Sequence, residues 1–308
     1  MDFLLNLRRR AEILRRIRAF FDERDFVEVT TPVAIAAPAP EPHIDCPTAF
    51  VPSPSAAGAV AKDGFKFLRA SPELQMKKLL AAGMDRIYQI GPCFREGELG
   101  ARHHPEFTMI EWYRRNADYR EIMADMEKLL SQLFHAVPTV RTGRAPRPAV
   151  PPPAISFRRL AVRDAYRRFA GWDPWVGEWD QDRFDYDMAT RVEPNLGEGL
   201  VFLVDYPKEA ASLALLRGDV AERWELYCNG IELANCFTEL CDGPEQRRRF
   251  VAAKEERRRL GESDYPLDEE FLETVPLMKS ASGVALGIDR LVAVLCGETD
   301  IHAVMCGE

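Results

Sequence analysis

The strand-like segment from Phe107 to Tyr113 places four chemically distinct side chains on one face. Period-2 alternation puts there an aromatic ring, a thioether, a carboxylate and a phenol: Phe107, Met109, Glu111 and Tyr113. A buried strand would prefer aliphatic residues, so this face is a candidate ligand floor; an amphipathic edge strand is the alternative. Arg95, His103 and His104 precede it in a polar loop, and cations beside an aromatic face suit a nucleoside triphosphate.

A second pair of strands follows from an Asn-Gly dipeptide at 229–230, which favours a type I′ turn. The register that this turn sets places Tyr227 opposite Glu232. It also places Glu225 opposite Ala234, so that Glu225 and Glu232 become diagonal neighbours on one face. The hairpin therefore brings two carboxylates together.

Two converging carboxylates would repel each other unless a cation lies between them. Mg²⁺ is commonly bound by one or two carboxylates together with substrate phosphates, which makes Glu225 and Glu232 candidate metal ligands. Two solvent-facing glutamates are the alternative. Glu239 has the opposite parity to Glu232 and joins this face only if a bulge or turn follows Asn235.

Arg290 closes the segment GVALGIDR at 283–290, which predicts a strand running into an apolar helix. The arginine falls in the first turn of that helix, where the helix dipole disfavours a cation. An anion shared with the backbone amides would explain it, whereas an arginine reaching to solvent is the alternative. Taken singly, the motif is as weak as any lone glycine pattern.

Composition limits the classes of protein to which this chain can belong. The chain has 308 residues, 46% of them hydrophobic and 29% charged, and a formal net charge of −8. No apolar run suits a membrane span and the N-terminus does not resemble a signal peptide. The seven cysteines are scattered and never spaced as CxxC, which favours a reducing cytoplasm over a disulfide or zinc framework.

The predicted elements begin with an amphipathic helix whose apolar stripe runs through Leu7, Ala11, Leu14, Ile17 and Phe21. A short strand at 26–30 stops at Pro32, and a long irregular loop follows. A second helix begins at Ser71-Pro72-Glu73, with the serine as cap and the proline at the first helical position, and ends at Gly83.

Two further segments concern the division of the chain. Six prolines make 138–153 the one linker-like insertion, although the sequence on either side is expected to form a single catalytic domain, 1–308. Residues 244–260 predict a helix from Pro244 to a stop at Gly261, with its arginine runs on solvated faces.

Taken in order, the opening helix and strand, FREGELGARHHPEF and GVALGIDR resemble motifs 1, 2 and 3 of class II aminoacyl-tRNA synthetases. Within that family, HHPEFTMIEWY, GIELANCFTEL and SPEL are similar to lysyl-tRNA synthetases. Motif 1 begins at Met1, which leaves no room for an anticodon-binding domain, so the truncated paralogues that ligate β-lysine to elongation factor P are resembled most closely. The implied fold is α+β: an antiparallel six- or seven-stranded sheet flanked by helices.

For ATP, the resemblance implies that Arg95 and Arg290 hold the α- and γ-phosphates, that Phe107 stacks on adenine and that Glu225 and Glu232 bind Mg²⁺. The other nucleotide positions that it implies are Glu96, Gly97, Glu98, His103, His104, Leu233 and Gly287. The family's motif 2 usually continues Arg-Asn-Glu and has asparagine in place of His104. These departures leave open which glutamate contacts the adenine.

For the amino acid, the resemblance implies that Glu73, Tyr113 and Glu239 grip a side-chain ammonium, with Asn235 near the carboxylate and Glu111 supporting the floor. Ser71 and Pro72 belong to the same set. Ala285 stands where a lysyl-tRNA synthetase has glycine, and its methyl group is expected to crowd the α-amino group of α-lysine.

The resemblance implies an ATP-dependent, AMP-forming ligase that activates (R)-β-lysine and transfers it to a lysine of elongation factor P. A homodimer is expected, while membrane association and stable tRNA binding are not. Two alternatives stay open: a tRNA-charging enzyme specific for α-lysine, and a non-catalytic regulatory paralogue.

Overall fold

The computed structural model describes residues 3–51, 64–136 and 155–306. The strands are β1 (Val27–Glu28), β2 (Ala34–Ile35), β3 (Thr48–Phe50), β4 (Phe65–Leu68), β5 (Arg86–Phe94), β6 (Glu106–Arg115), β7 (Phe157–Ala161), β8 (Leu200–Pro207), β9 (Leu216–Arg217), β10 (Val220–Cys228), β11 (Ile231–Thr238) and β12 (Ala281–Gly287). The centre of the fold is a nine-stranded sheet in the order β1-β5-β6-β12-β11-β10-β8-β7, with the short β9 beside β10. Six neighbouring strands from β5 to β8 pair antiparallel, whereas β1 and β7 join the two ends in parallel. The α+β class and the helix-flanked antiparallel sheet are confirmed, with more strands than the six or seven expected.

The helices are α1 (Phe3–Asp22), α2 (Glu73–Ala81), α3 (Tyr119–Ala136), α4 (Val162–Ala165), α5 (Gln181–Asp187), α6 (Gly243–Leu260), α7 (Glu269–Thr274) and α8 (Ile288–Cys296).

Alternation along the central strands separates a hydrophobic core from a functional face. Ile110 and Trp112 of β6 pack with Val284 and Leu286 of β12 in a core that also takes in apolar residues of α1, α3 and α8. The residues between them point to the opposite face of the sheet. Along the described residues, no helix is long and apolar enough to cross a membrane.

The opening helix forms as predicted, but its buried stripe differs from the one expected. Ala11 is exposed, whereas Ile13, Ile17, Phe20 and Phe21 are buried. Helix α1 contacts both α3 and α8, and the spacing 13, 17, 20 and 21 is the one that presents a single face to that groove.

Part of the predicted irregular loop after Pro32 is ordered. Strands β2 and β3 both pair antiparallel with β4 to form a separate three-stranded sheet, which corrects the expectation of a loop throughout. The prolines at 38, 40 and 42 lie between β2 and β3, where no strand forms. The linker-like segment 138–153 falls outside the described residues.

Helix α6 spans the predicted range, with Asp242 accepting a hydrogen bond from the Glu245 amide and Gly261 closing it at a φ of +80°. The prediction that its arginine runs lie on solvated faces is wrong for Arg257, which is fully buried. Its guanidinium donates to the carbonyls of Glu41 and Ile44, so this arginine ties α6 to the loop between β2 and β3.

Candidate active site

A cavity of about 280 Å³ lies on the face of the sheet opposite the hydrophobic core. All four residues of the predicted floor on β6 line it: Phe107, Met109, Glu111 and Tyr113. Ala285 of β12 lies between the two neighbouring strands, in register with Asn235 of β11 and Glu111 of β6. Alternation along β6 therefore identified the correct face.

Most of the predicted site residues line this cavity, and three do not. Those that line the cavity are Ser71, Glu73, Arg95, Glu98, His103, His104, Phe107, Glu111, Tyr113, Glu225, Glu232, Leu233, Asn235, Glu239, Ala285, Gly287 and Arg290. Pro72, Glu96 and Gly97 do not line it. Of the two glutamates considered for adenine contact, Glu98 is therefore the one that faces the cavity.

A β-bulge on β11 sets which side chains of the hairpin reach the cavity. Tyr227 pairs with Glu232 as predicted, but Leu226 pairs with Ala234, so Leu233 is an extra residue on its strand. Glu225 consequently lies opposite Asn235 and not opposite Ala234, which corrects the expected register. The bulge occurs before Asn235 and not after it.

This shift in parity brings residues from both ends of β11 to the same face. Glu232 precedes the bulge, Asn235 follows it, and both line the cavity together with Glu239. Without the extra residue, Glu232 and Asn235 would point to opposite faces of the sheet.

Glu225 accepts three short hydrogen bonds. The donors are Arg223 Nη2 at 2.5 Å, the Tyr206 hydroxyl at 2.6 Å and the Tyr227 hydroxyl at 2.7 Å. Sequence reasoning missed these partners, although Arg223 and Tyr227 each lie two residues from Glu225, which is the spacing of one strand face. Three donors hold the carboxylate in one orientation.

Glu232 and Arg290 meet at the beginning of α8. Arg290 Nη1 donates to the Glu232 carbonyl at 3.0 Å and lies 3.5 Å from its carboxylate. Burial and the neighbouring Glu225 raise the pKa of Glu232, whose side chain still keeps 41% of its surface open to the cavity. Arg290 Nη2 also donates to His103 Nε2 at 2.7 Å, and burial together with Arg290 lowers the pKa of His103.

Arg95 lies beside the aromatic floor. Its guanidinium carbon is 5.2 Å from the centre of the Phe107 ring, and its Nη1 donates to Glu98 Oε1 at 3.4 Å. Among the residues that the structure describes, the buried Arg95 Nε has no hydrogen-bond partner. A buried donor of this kind is costly to leave unsatisfied, so an anion in the cavity would find a ready partner.

At the other end of the cavity, a buried lysine that sequence reasoning missed links two predicted residues. The Lys77 ammonium forms ion pairs with Glu73 at 2.5 Å and with Glu239, and its side chain is only 2% exposed. Burial opposes this charge, but the Glu239 and Glu73 carboxylates outweigh it and raise the lysine's pKa. The spacing of four between Glu73 and Lys77 on α2 was a signal for this contact.

Glu111 lies under these groups. It accepts hydrogen bonds from Ser71 Oγ at 2.6 Å and from the Tyr113 hydroxyl at 2.7 Å. Burial and the nearby Glu73 raise the pKa of Glu111 to about 7. Ser71 Oγ also accepts from the Glu73 amide at 2.9 Å, but Pro72 occupies the N-cap position, which corrects the prediction of Ser71 as cap and Pro72 at the first helical position.

Asp289 is a cavity residue that sequence reasoning overlooked. Its carboxylate accepts from Arg10 Nη1 of α1 at 2.5 Å and from the Thr108 amide of β6 at 2.6 Å. The acidic position in the first turn of α8 was the available signal. These bonds fix the start of α8, and with it Arg290, against the floor.

Comparison with known proteins places this geometry in a family. The model of the class II tRNA synthetases (D, K and N) matches residues 2–306. Proteins named elongation factor P–(R)-β-lysine ligase are similar along nearly the whole chain. The relative from Hamiltonella defensa is 36% identical, covering 97% of this chain and 94% of its own. That from Edwardsiella ictaluri is 38% identical, covering 93% and 90% respectively.

The family match at residues 2–306 spans motifs 1, 2 and 3 and the cavity that they enclose. The chain therefore belongs to the class II tRNA synthetases and, within them, to the family of the elongation factor P–(R)-β-lysine ligases.

Proposed function

We propose that this protein activates (R)-β-lysine with ATP and transfers it to a lysine side chain of elongation factor P. The observation that carries the proposal is the charge balance at the Glu73 end of the cavity. Among the described residues, Glu73 and Glu239 share the Lys77 ammonium, whereas Glu111 lines the same end of the cavity without an ion pair. The surplus of carboxylates suits an amino acid with two ammonium groups, and the names of the relatives specify β-lysine.

ATP is the co-substrate, and the opposite end of the cavity supports its binding. Arg95 and Arg290 are the cations for its phosphates, and Phe107 offers an aromatic face for adenine. Glu98, on the cavity wall beside Arg95, is the better placed glutamate for the adenine.

The donor set of Glu225 and Glu232 fits Mg²⁺. Among the described residues, no group of three or more His, Cys, Asp or Glu side chains is arranged to hold a metal ion. Two carboxylates plus phosphate oxygens and waters are the usual magnesium arrangement, and the charge of Glu225 already disfavours ionised Glu232. When bound, the ion would neutralise phosphate charge.

The first chemical step is in-line attack of the amino-acid carboxylate on the α-phosphate of ATP, which yields an aminoacyl-adenylate and pyrophosphate. A carboxylate is ionised at neutral pH, so the protein need not remove a proton. Arg95 and Arg290 position the triphosphate and offset the charge that develops on it. Asp289 keeps Arg290 in place by holding the first turn of α8.

The second step forms an amide between the activated carboxyl group and the amine of the acceptor lysine, releasing AMP. A tRNA-charging enzyme would instead form an ester with a ribose hydroxyl. Both acceptors use the same adenylate, so the acceptor has to be determined by experiment.

The test is to incubate the protein with ATP, labelled (R)-β-lysine and either elongation factor P or tRNA. We expect label in elongation factor P and none in tRNA. Label in tRNA, with α-lysine preferred, would replace the proposal with the tRNA-charging alternative. Pyrophosphate exchange absent with both amino acids would instead support a non-catalytic paralogue.

We also propose a cytoplasmic homodimer. Phe3 of α1 and Val27 of the edge strand β1 are exposed apolar side chains on the motif 1 segment, where a second copy would bury them. All seven cysteines are free, which supports a reducing compartment.

A further inference from the structure

A second cavity of about 1000 Å³ adjoins the first. Its outer wall is formed by the loop at 40–43, helices α5 and α6, and Trp179. The two cavities share six lining residues: Glu41, Ser212, Arg223, Glu225, Glu232 and Asn235. A long side chain entering through the second cavity would therefore reach the nucleotide end of the first.

Glu41 stands out among the carboxylates at this boundary. Within the described residues its side chain forms no hydrogen bond or ion pair, whereas each of the other carboxylates lining the first cavity has a partner. These partnered carboxylates are Glu73, Glu98, Glu111, Glu225, Glu232, Glu239 and Asp289. In the described part of the chain, Glu41 is thus the carboxylate of the first cavity whose oxygens have no side-chain or backbone partner.

The backbone around Glu41 is held firmly. The buried Arg257 donates to the Glu41 carbonyl at 2.7 Å and to the Ile44 carbonyl at 3.0 Å, and pairs with Asp45 at 2.5 Å. The same guanidinium lies 4.1 Å from the centre of the Tyr265 ring. A buried clamp of this kind gives the carboxylate a fixed approach to the cavity.

The charged groups that act on Glu41 come from three elements. Burial and Glu73 of α2 raise its pKa, whereas Arg95 after β5, Arg223 of β10 and Lys77 of α2 lower it. The net shift is upward, which makes a carboxylate a better proton acceptor near neutral pH. Arg95 is also the residue proposed to hold the α-phosphate, next to the carbonyl that the amine must attack.

We propose that Glu41 is the general base of the transfer step and that the acceptor lysine reaches it through the second cavity. This inference rests on the proposed function. The acceptor enters as an ammonium and loses one proton to the Glu41 carboxylate. Its nitrogen then forms a C–N bond with the carbonyl carbon while the C–O bond to AMP breaks. The nitrogen's second proton leaves with the phosphate of AMP, and Glu41 returns its own proton to water.

The test separates the two steps in Glu41→Gln. The enzyme is first loaded with (R)-β-lysyl adenylate, and pyrophosphate exchange is measured. The adenylate is then chased with elongation factor P or with hydroxylamine, an amine that is already largely neutral at neutral pH. Glu255→Gln is the matched control, because Glu255 lines neither cavity.

We expect Glu41→Gln to keep exchange and hydroxamate formation while transfer to elongation factor P falls about a hundredfold, a typical contribution of general base catalysis. Its residual transfer should rise with pH throughout the range in which the wild-type rate levels off. Glu255→Gln should behave as wild type. Equal losses with both acceptors, or no loss, would overturn the role of Glu41. Absent exchange in the wild type would instead refute the proposed function itself.

Discussion

Gly283 of β12 lies directly beneath the Tyr113 ring, so Gly283→Ala should damage the amino-acid end of the cavity. A Cβ built at residue 283 would lie 2.1 Å from Tyr113 Cδ1 and 2.2 Å from Cε1. Ordinary contacts begin near 3.4 Å, so the ring must move by about 1.3 Å. Tyr113 is 3% exposed and has little space in which to do so.

That displacement is large enough to break the 2.7 Å hydrogen bond from the Tyr113 hydroxyl to Glu111. Overpacking costs about 1–3 kcal/mol of unfolding free energy. The displaced Tyr113 would also lose its hydrogen bond with the substrate ammonium. A hydrogen bond to a charged group contributes about 1.5–3 kcal/mol, so kcat/KM for adenylation should fall roughly ten- to a hundredfold.

Urea unfolding and pyrophosphate exchange measure these two effects. Gly287→Ala is the stability control on the same strand, since the nearest atom to its added Cβ, the Leu233 carbonyl oxygen, is 3.8 Å away. In a Tyr113→Ala background, Gly283→Ala should add little further cost, because the ring that it strikes is gone. Full stability and activity in Gly283→Ala alone would refute this account.

Four further outcomes are expected. Ala285→Gly should narrow the wild-type preference for (R)-β-lysine over α-lysine, by about 1–3 kcal/mol in the ratio of kcat/KM values; an unchanged ratio would refute crowding by the methyl group. Glu232→Gln and Arg290→Ala should each abolish pyrophosphate exchange with the fold intact by circular dichroism, and near-normal exchange would contradict their placement at the triphosphate. In the folded protein the pKa of Glu111 is raised from 4.5 to about 7, so the stability that its protonated form contributes should be lost as the pH rises through that range. The free energy of unfolding in urea should therefore fall less steeply with pH in Glu111→Gln than in the wild type. Parallel plots of unfolding free energy against pH for the two proteins would contradict this. Sedimentation should give a dimer at micromolar concentration, and a monomer there would count against the motif 1 interface.

Local patterns were sufficient to predict much of the site. The turn at 229–230 and the alternation along β6 each depend on neighbouring residues, and the predicted face and hairpin are both observed. The position of Arg290 in the first turn of α8 follows equally from local signals.

Features that depend on distant partners were not predicted. The bulge at Leu233 lies immediately before the residues of β11 that pair with β12, and no local signal marks it. In the sequence, Lys77 has only its spacing of four from Glu73 as a signal, and Arg257 resembles an ordinary surface residue. Only the folded chain brings Glu239 to Lys77, and the carbonyls of the loop at 41–44 to Arg257.

The bulge at Leu233 also constrains how this hairpin can change in length. Deleting that one residue would turn away from the cavity either Glu232 or the residues after the bulge that now line it, Asn235 and Glu239 among them, separating the nucleotide end from the amino-acid end. Substitutions on β11 can alter one end of the cavity at a time. A single-residue insertion or deletion instead changes which side chains of the strand face the cavity, and so affects both ends. Variation in length among functional variants is therefore expected in other loops, and a library built on this scaffold should hold residues 225–239 at fixed length.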